Sequence, residues 1–509
     1  VPIDNTVPGT PGWWLAILAH RLTERLYGYR GSYRYTRRGV TSSRIRPPLI
    51  LLNDYLAGDP PLREDIHSEW AAPFRQYLRM GRMNIAPKLV SATSNRMGIR
   101  DFRTAAADDD LGDLEARNLM RHNKLKTKAR EVHDYMLGFG DGYTIVTPPD
   151  ETRAWSLITA ESPLNCITAH DPATNETLAG LKIFRDDVEG VDYAYLFLPG
   201  ELYVARCDVP TTTLFTGRRF ELNSNWEWDF DKWDTIPGDK VAMVRFKNKN
   251  GLSEIEGHLE TLDRINDKVF NEWWIGKIQA FRQRALEMAE EDDDETPGDP
   301  DDLSLHESDA DWSKMFTSAP DAMWKLPAGA KIWESQTTDM NQLMNSIKGD
   351  LQGLAFTATL PLYLISPDAA NGSAEGASTQ KEEHTFEILD RRDRAEGGWA
   401  ETMAMAFEFQ GMTERDDVSQ IEPIWGPSQL FSLAESSQAA NALRGILPTE
   451  AIFTDVLQYS PADVQERLRA LRARDLLYGG PVPALPVPSL TPPRPTPQPV
   501  PPEPGPAGS

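Results

Sequence analysis

The chain is almost without cysteine: Cys166 and Cys207 are the only two in 509 residues, and no CxxC pair exists. That excludes a disulfide scaffold and a cysteine zinc site, and it fits a reducing cytosol. Long apolar runs are missing as well. The best candidates, residues 13–19 and 354–365, fall short of the roughly 20 residues a membrane helix requires and are cut by polar residues or proline. Neither reads as a secretory signal, and no integral membrane segment is expected. Positive charge is scarce: 53 Lys and Arg stand against 77 Asp and Glu, a net charge of −24. Wrapping nucleic acid over the general surface needs clustered cations, so that class is excluded, whereas DNA passing close by is not.

Catalytic signatures are absent too. There is no Walker phosphate loop, no HExxH and no GxSxG. His384 and Glu387 would share one helical face, but Glu382 and Glu383 beside them mark a solvated helix, and no metal is assigned. Asp292, Asp293, Asp294 and Asp299 lack the glycine and terminal Glu offsets of a calcium loop. The glycines at 138, 140 and 142 follow a helix and precede a strand, the reverse of a dinucleotide fingerprint, so they form a tight turn. No catalytic residue, cofactor or metal site is expected.

What is present is long helix around a strand-rich middle. At this length two or more domains are expected, and 40% hydrophobic residues suffice to bury them. Leu252, Ile255, Leu259, Leu262, Ile265, Val269 and Trp273 recur three or four residues apart, which predicts a helix from 251 to about 285. Ser253 with Glu256 supplies a capping box. Such a helix would be roughly 50 Å long, more than a compact core covers, so Leu259, Leu262, Val269 and Trp273 are expected at contacts with another subunit. An acidic excursion with Glu290, Asp292, Asp293 and Asp294 follows, then a second helix over 338–356. Small residues and Asn dominate 366–378. A third helix over 379–410 is expected to kink at Gly397 and Gly398.

Upstream, a helix over 13–27 leads into a tract where Arg30, Arg34, Arg37, Arg38, Arg44 and Arg46 interleave with Tyr29, Tyr33 and Tyr35. This arm suits phosphates or an acidic partner surface, and equally a solvated arm or edge hairpin. Helical spacing prevails over 49–140, with Trp70, Phe74, Tyr77 and Leu78 as a buried face and one helix over 117–137. Short strands follow at 143–147, 162–168, 178–184, 193–198, 201–207 and 241–246. Helices and then strands make an α+β fold. A strand at 421–425 returns to the sheet, and helices cover 428–445 and 460–478, the latter opened by Ser460 and Pro461. The proline-rich tail 479–509 has no packing pattern.

Several stretches together resemble the portal proteins of tailed bacteriophages, in the SPP1-like branch. Asn53-Asp54-Tyr55-Leu56-Ala57-Gly58 and residues 84–102 resemble that family's early motifs, and Arg117-Asn118 through Gly142-Tyr143-Thr144-Ile145-Val146 is similar to its helix, glycine turn and strand. Glu161-Ser162-Pro163, Asp171-Pro172 and Leu198-Pro199-Gly200 sit where its wing turns lie. Phe246-Lys247-Asn248 and Gly251-Leu252-Ser253-Glu254-Ile255 resemble the start of its first stem helix; Gly445-Ile446-Leu447-Pro448-Thr449-Glu450 and Leu457-Gln458-Tyr459-Ser460-Pro461 resemble its crown. Their order over 49–478 carries the resemblance.

It implies a ring-forming homo-oligomer, commonly a dodecamer, at one capsid vertex of the virion, assembled in the host cytoplasm. Double-stranded DNA would pass through it, and terminase, major capsid or scaffold protein, and head-completion adaptor or tail proteins would bind it. The parts would be an arm (1–48), wing (49–250), first stem helix (251–286), clip (287–335), second stem helix (336–359), tunnel loop (360–378), long kinked helix and wing return (379–427), crown (428–478) and tail (479–509). Asn371, Gly372 and Ser373 would face DNA, with Lys348 as an isolated positive ring or an intersubunit ion pair. Glu290, Asp292, Asp293 and Asp294 would form a docking loop or a merely solvated one. The competing readings are a scaffold or minor capsid protein without a channel, and a nucleic-acid-processing enzyme, which would need carboxylates clustered in a folded core.

Overall fold

The computed structural model describes residues 3–28, 46–61, 79–104, 106, 112–208, 225–280, 284–287, 331–334, 339–365, 374–429, 433–459 and 461–478. The expected buried face at Trp70, Phe74, Tyr77 and Leu78 lies outside them. The fold is α+β, in two compact units, 1–430 and 431–509.

In the first unit, α1 (Pro11–Tyr27) starts at Thr10, whose hydroxyl accepts from Trp13 N, with Pro11 preset for the first turn. Leu15, Leu18, Leu22 and Leu26 fall on one face, each at most 4% exposed. That face packs on the six-stranded sheet. Helices α2 (Leu49–Ala57) and α3 (Ala86–Ser94) precede strand β1 (Ile99–Arg103).

The single helix expected over 117–137 is two, α4 (Leu114–His122) and α5 (Leu125–Phe139). A tertiary demand breaks it. Asn123 turns its amide onto a later strand, donating to Ser156 O at 2.9 Å and accepting from Ile158 N at 2.8 Å, while Lys124 takes a left-handed φ of 52°. The side chain thereby plugs the outer edge of that strand. Gly140 then turns α5 into β2 (Asp141–Thr147) with φ 91°, where an added Cβ would lie 2.2 Å from Gly251 O.

Strand β2 is the centre of a three-stranded antiparallel sheet between β3 (Leu157–Glu161) and β10 (Met243–Lys247). A second antiparallel sheet runs β4 (Cys166–His170), β5 (Thr177–Asp186), β6 (Val191–Leu198), β7 (Glu201–Cys207) and β8 (Trp226–Trp228), with β9 (Asp234–Thr235) on the far end of β7. The two sheets meet where Met243 fills the space above Gly180.

After 3-10 turns at Lys249–Gly251 and Glu256–His258 comes α6 (Leu259–Ala280). At 1.5 Å per residue it is about 33 Å long, shorter than expected. It ends before β11 (Arg284–Glu287), which pairs antiparallel with β12 (Lys331–Glu334) across the helix end expected near 285. Helix α7 (Met340–Thr357), capped by Asp339 on Asn341 N at 2.9 Å, returns along α6. Helix α8 (Ala374–Phe409) runs through Gly397 and Gly398 without a break in the helix. Packing overrides the glycine penalty, because Gly398 lets α8 close on the Phe246 ring, 2.7 Å from where a Cβ would sit. Strand β13 (Glu422–Trp425) pairs antiparallel with β1.

The second unit holds α9 (Leu433–Leu443), then α10 (Thr449–Ala451) running into a π turn at Ile452–Val456, and α11 (Pro461–Tyr478). Arg467 lies over the Tyr459 ring at 4.2 Å. The expected cap Ser460 is outside the described residues. Among those residues no helix is long and apolar enough to cross a membrane.

Candidate functional site

The candidate site is the α6/α7 helix pair and the turn at its root. Ser253 and Glu256 form half of the expected box one turn early: Ser253 N donates to Glu256 Oε2 at 3.3 Å, and Ile255 N donates to Ser253 Oγ at 3.2 Å, heading the 3-10 turn. Ser253 Oγ donates to Gly138 O at 2.6 Å, tying the root to the end of α5.

Along α6, Leu259 is 9% exposed and Leu262 only 3%, already covered within one chain. They share a core with Ile265 and with Ile347, Leu351 and Leu354 of α7, and beside Leu262 the Tyr55 hydroxyl donates to Asp263 at 2.6 Å. The premise that the stripe lacks cover inside its own chain is therefore corrected for Leu259 and Leu262, because the core shared with α7 supplies it. Val269 and Trp273, farther along, are half-buried.

Polar bonds set the register of the pair. Asp350 accepts from Lys268 at 2.6 Å and Arg264 at 3.2 Å, and Lys268 also donates to Ser346 Oγ at 2.7 Å. Burial works to raise the Asp350 carboxyl, but the two cations outweigh it and hold it below the usual range. Asp350 is the one carboxylate within α7, so the exposed positions of that helix, which include Asn341, Asn345, Lys348 and Gln352 as well as Met344 and Phe356, carry no acid in a chain of net charge −24. Sequence reasoning missed Asp350. The signal was the pair of cations at i and i+4, Arg264 and Lys268, on a helix face that needs a counter-charge.

Helix α8 locks the root from the other side. Arg391 donates to Glu254 at 2.7 Å and bonds Glu387 at 2.9 Å. Arg96 meets His384 Nε2 at 3.3 Å, so His384 and Glu387 face different partners and are not assembled as ligands. Burial, then Arg96, pushes the His384 ring down to about 4. Deeper, Trp399 Nε1 donates to His133 Nε2 at 2.9 Å. Full burial, helped by the charge of Arg392, pushes His133 down to about 3. Among the described residues no group of three or more His, Cys, Asp or Glu is placed to hold a metal. Asn371, Gly372, Ser373, Glu290, Asp292, Asp293 and Asp294 lie outside the described residues.

A family model described as phage portal protein, SPP1 Gp6-like, matches residues 41–474. The chain belongs to that family. Portal proteins are structural, non-enzymatic parts of the phage capsid and work in the virion at the portal vertex. Among solved structures, the chain is similar to the neck of a native gene transfer agent particle computed with C12 symmetry, at 12% identity and a TM-score of 0.41, covering 75% of this chain and 92% of that one. The virion of the native gene transfer agent particle matches at 13% identity and a TM-score of 0.40, covering 81% and 95%. The neck of the empty particle, computed with C6 symmetry, matches at 13% identity and 0.42, again covering 81% and 95%. No curated protein matches the chain. The portal family's match leaves α1 outside, yet α1 is packed against the six-stranded sheet.

Proposed function

We propose that this portal protein assembles as a closed homo-oligomeric ring, a dodecamer, through which double-stranded DNA is packaged by terminase and later released. Residues 49–250 act as the wing, 251–286 and 336–359 as the stem, 287–335 as the clip, 360–378 as the tunnel loop and 428–478 as the crown. Major capsid or scaffold protein surrounds the ring, and head-completion adaptor and tail proteins attach to it. The observation that carries this reading is the α6/α7 pair, in which Arg264 and Lys268 are spent on Asp350 and the exposed α7 positions, amides and glycines with Met344, Ser346, Phe356, Thr357 and Lys348, include no carboxylate. Duplex DNA bears one charge per roughly 1.7 Å, so a dense cationic lining would grip it and oppose movement. Sparse amides with one cation per copy touch phosphate without holding it.

Subunit contacts pass through Val269 and Trp273 of α6 rather than through the covered Leu259 and Leu262. Asn371, Gly372 and Ser373 line the narrowest part, and Glu290, Asp292, Asp293 and Asp294 face the motor or adaptor. Negative-stain images of purified protein are expected to show closed rings with a central hole, whereas monomers or solid particles would overturn the conduit. Asn371→Asp with Ser373→Asp is expected to leave rings intact and to disturb DNA packaging or retention. Normal heads from that variant would remove the loop from the DNA path.

A further inference from the structure

The end of the six-stranded sheet where β7, β8 and β9 meet carries a cluster of aromatic side chains with an acidic rim. Trp233 is its hub: its ring lies 4.6 Å from Tyr203, 5.4 Å from Trp228 and 4.6 Å from Phe230, mostly edge to face. Phe230 is 51% exposed and the other three are half-buried. Glu201, Asp231 and Asp234 stand exposed around them. The only cation between Trp226 and Asp234, Lys232, is drawn off to Tyr193, whose hydroxyl it meets at 2.8 Å. Aromatic faces edged by carboxylates recognise guanidinium, which stacks on indole while its N–H fork bonds the acid. The chain's own stretch of matching chemistry is the arm. Between 29 and 46 it has six arginines and three tyrosines, and no Asp or Glu occurs from 25 to 53.

We propose that this face of the wing sheet takes the basic arm, residues 29–45, of a neighbouring copy of the chain. The inference rests on the ring reading above. The arm leaves Gly28, bonded to Glu24 O, and returns at Arg46, bonded to Gly251 O and Glu256, so both ends are fixed on its own chain. Going out and back, 17 residues span up to about 30 Å, enough to cross to an adjacent copy. Residues 209–224 also contain arginines, but they join β7 to β8 beyond the Cys207–Trp226 pair, whereas Tyr203 and Trp233 lie toward the Glu201–Thr235 end of β7. Such an arm adds a charge-paired link outside the stem and makes ring cohesion dependent on salt.

The test mixes two full-length variants, Asp231→Cys and Ser43→Cys, in one assembly; both natural cysteines are buried. Oxidation is expected to produce disulfide-linked dimers containing one copy of each. In parallel, Arg37→Glu with Arg38→Glu should raise the concentration at which copies associate roughly 2- to 30-fold, the range for two exposed ion pairs, and Asp231→Arg with Asp234→Arg should restore it. Rings without mixed dimers, or a link formed only within one chain carrying both cysteines, would overturn the proposal and leave the ring standing. Wild-type protein that never oligomerises would sink both.

Discussion

His133 makes the stability of the core around Trp399 depend on pH in a way that one substitution should remove. An indole N–H only donates, so the bond from Trp399 fixes His133 Nε2 as acceptor and places the neutral ring's proton on Nδ1. Charging the ring would set a second N–H against the indole N–H, in full burial and near Arg392. With the folded pKa near 3 and the unfolded one at 6.5, the unfolded chain binds the extra proton between those values. Stability from this residue is therefore complete above pH 6.5 and falls as pH drops toward 3, by about 1.4 kcal/mol per unit. Between pH 6.5 and 5 the loss is about 2 kcal/mol. His133→Gln keeps an acceptor for Trp399 and cannot titrate. Urea unfolding at pH 7.5, 6.5, 5.5 and 5.0 should show the wild type losing ground to the variant by that amount, other titrating groups cancelling in the comparison. Parallel stability lines for the two proteins would refute the assignment.

Gly398→Ala should destabilise by about 1–3 kcal/mol, because the added methyl meets the Phe246 ring, whereas Gly397→Ala, with open space there, should be neutral or stabilise by up to about 1 kcal/mol; thermal unfolding of the two checks this. Asp350→Asn should cost no more than about 1 kcal/mol for each partly exposed pair it weakens, and the difference from wild type should shrink in 0.5 M salt, about a 4 Å screening length, as read by denaturant midpoints.

The regular parts were legible where local pattern and tertiary demand agree. Glu201–Cys207 was bounded residue for residue because a Pro-Gly turn precedes it, and α1 was short only by its cap, Thr10, and its opening Pro11 and Gly12. Leu157–Glu161 escaped notice because its edge is satisfied by Asn123, a residue read as mid-helix. The same long-range amide bond hid the break at Lys124, and the Phe246 contact hid the reason for Gly398. At the site, the apolar stripe of α6 was visible, but what covers each member was not: Leu262 shares its core with Leu351 and Leu354, on a helix that the sequence separates from it by the whole 281–339 stretch. Asp350 looked like any surface acid until its two cations were placed beside it.

The angle at which the helix pair leaves the sheets is set at its root. Helix α6 reaches about 33 Å from there, so a sideways force at its far end acts on residues 248–258 with the whole helix as lever. Apolar contacts are non-directional and resist separation more than rotation. The root instead has directional bonds from separate parts of the chain: Asn248 N to Gly140 O at 3.0 Å, Glu254 N to Leu137 O at 2.9 Å, Ser253 Oγ to Gly138 O, Arg46 to Glu256 and Arg391 to Glu254. Each contributes only about 1 kcal/mol net. Because they converge on one short turn from the end of α5, from Arg46 upstream of α2 and from α8, rotating α6 about its root works against bonds anchored in three separate places. The apolar stripe holds α6 to α7, and the polar knot at the root fixes how the two together stand on the sheets and helices before them.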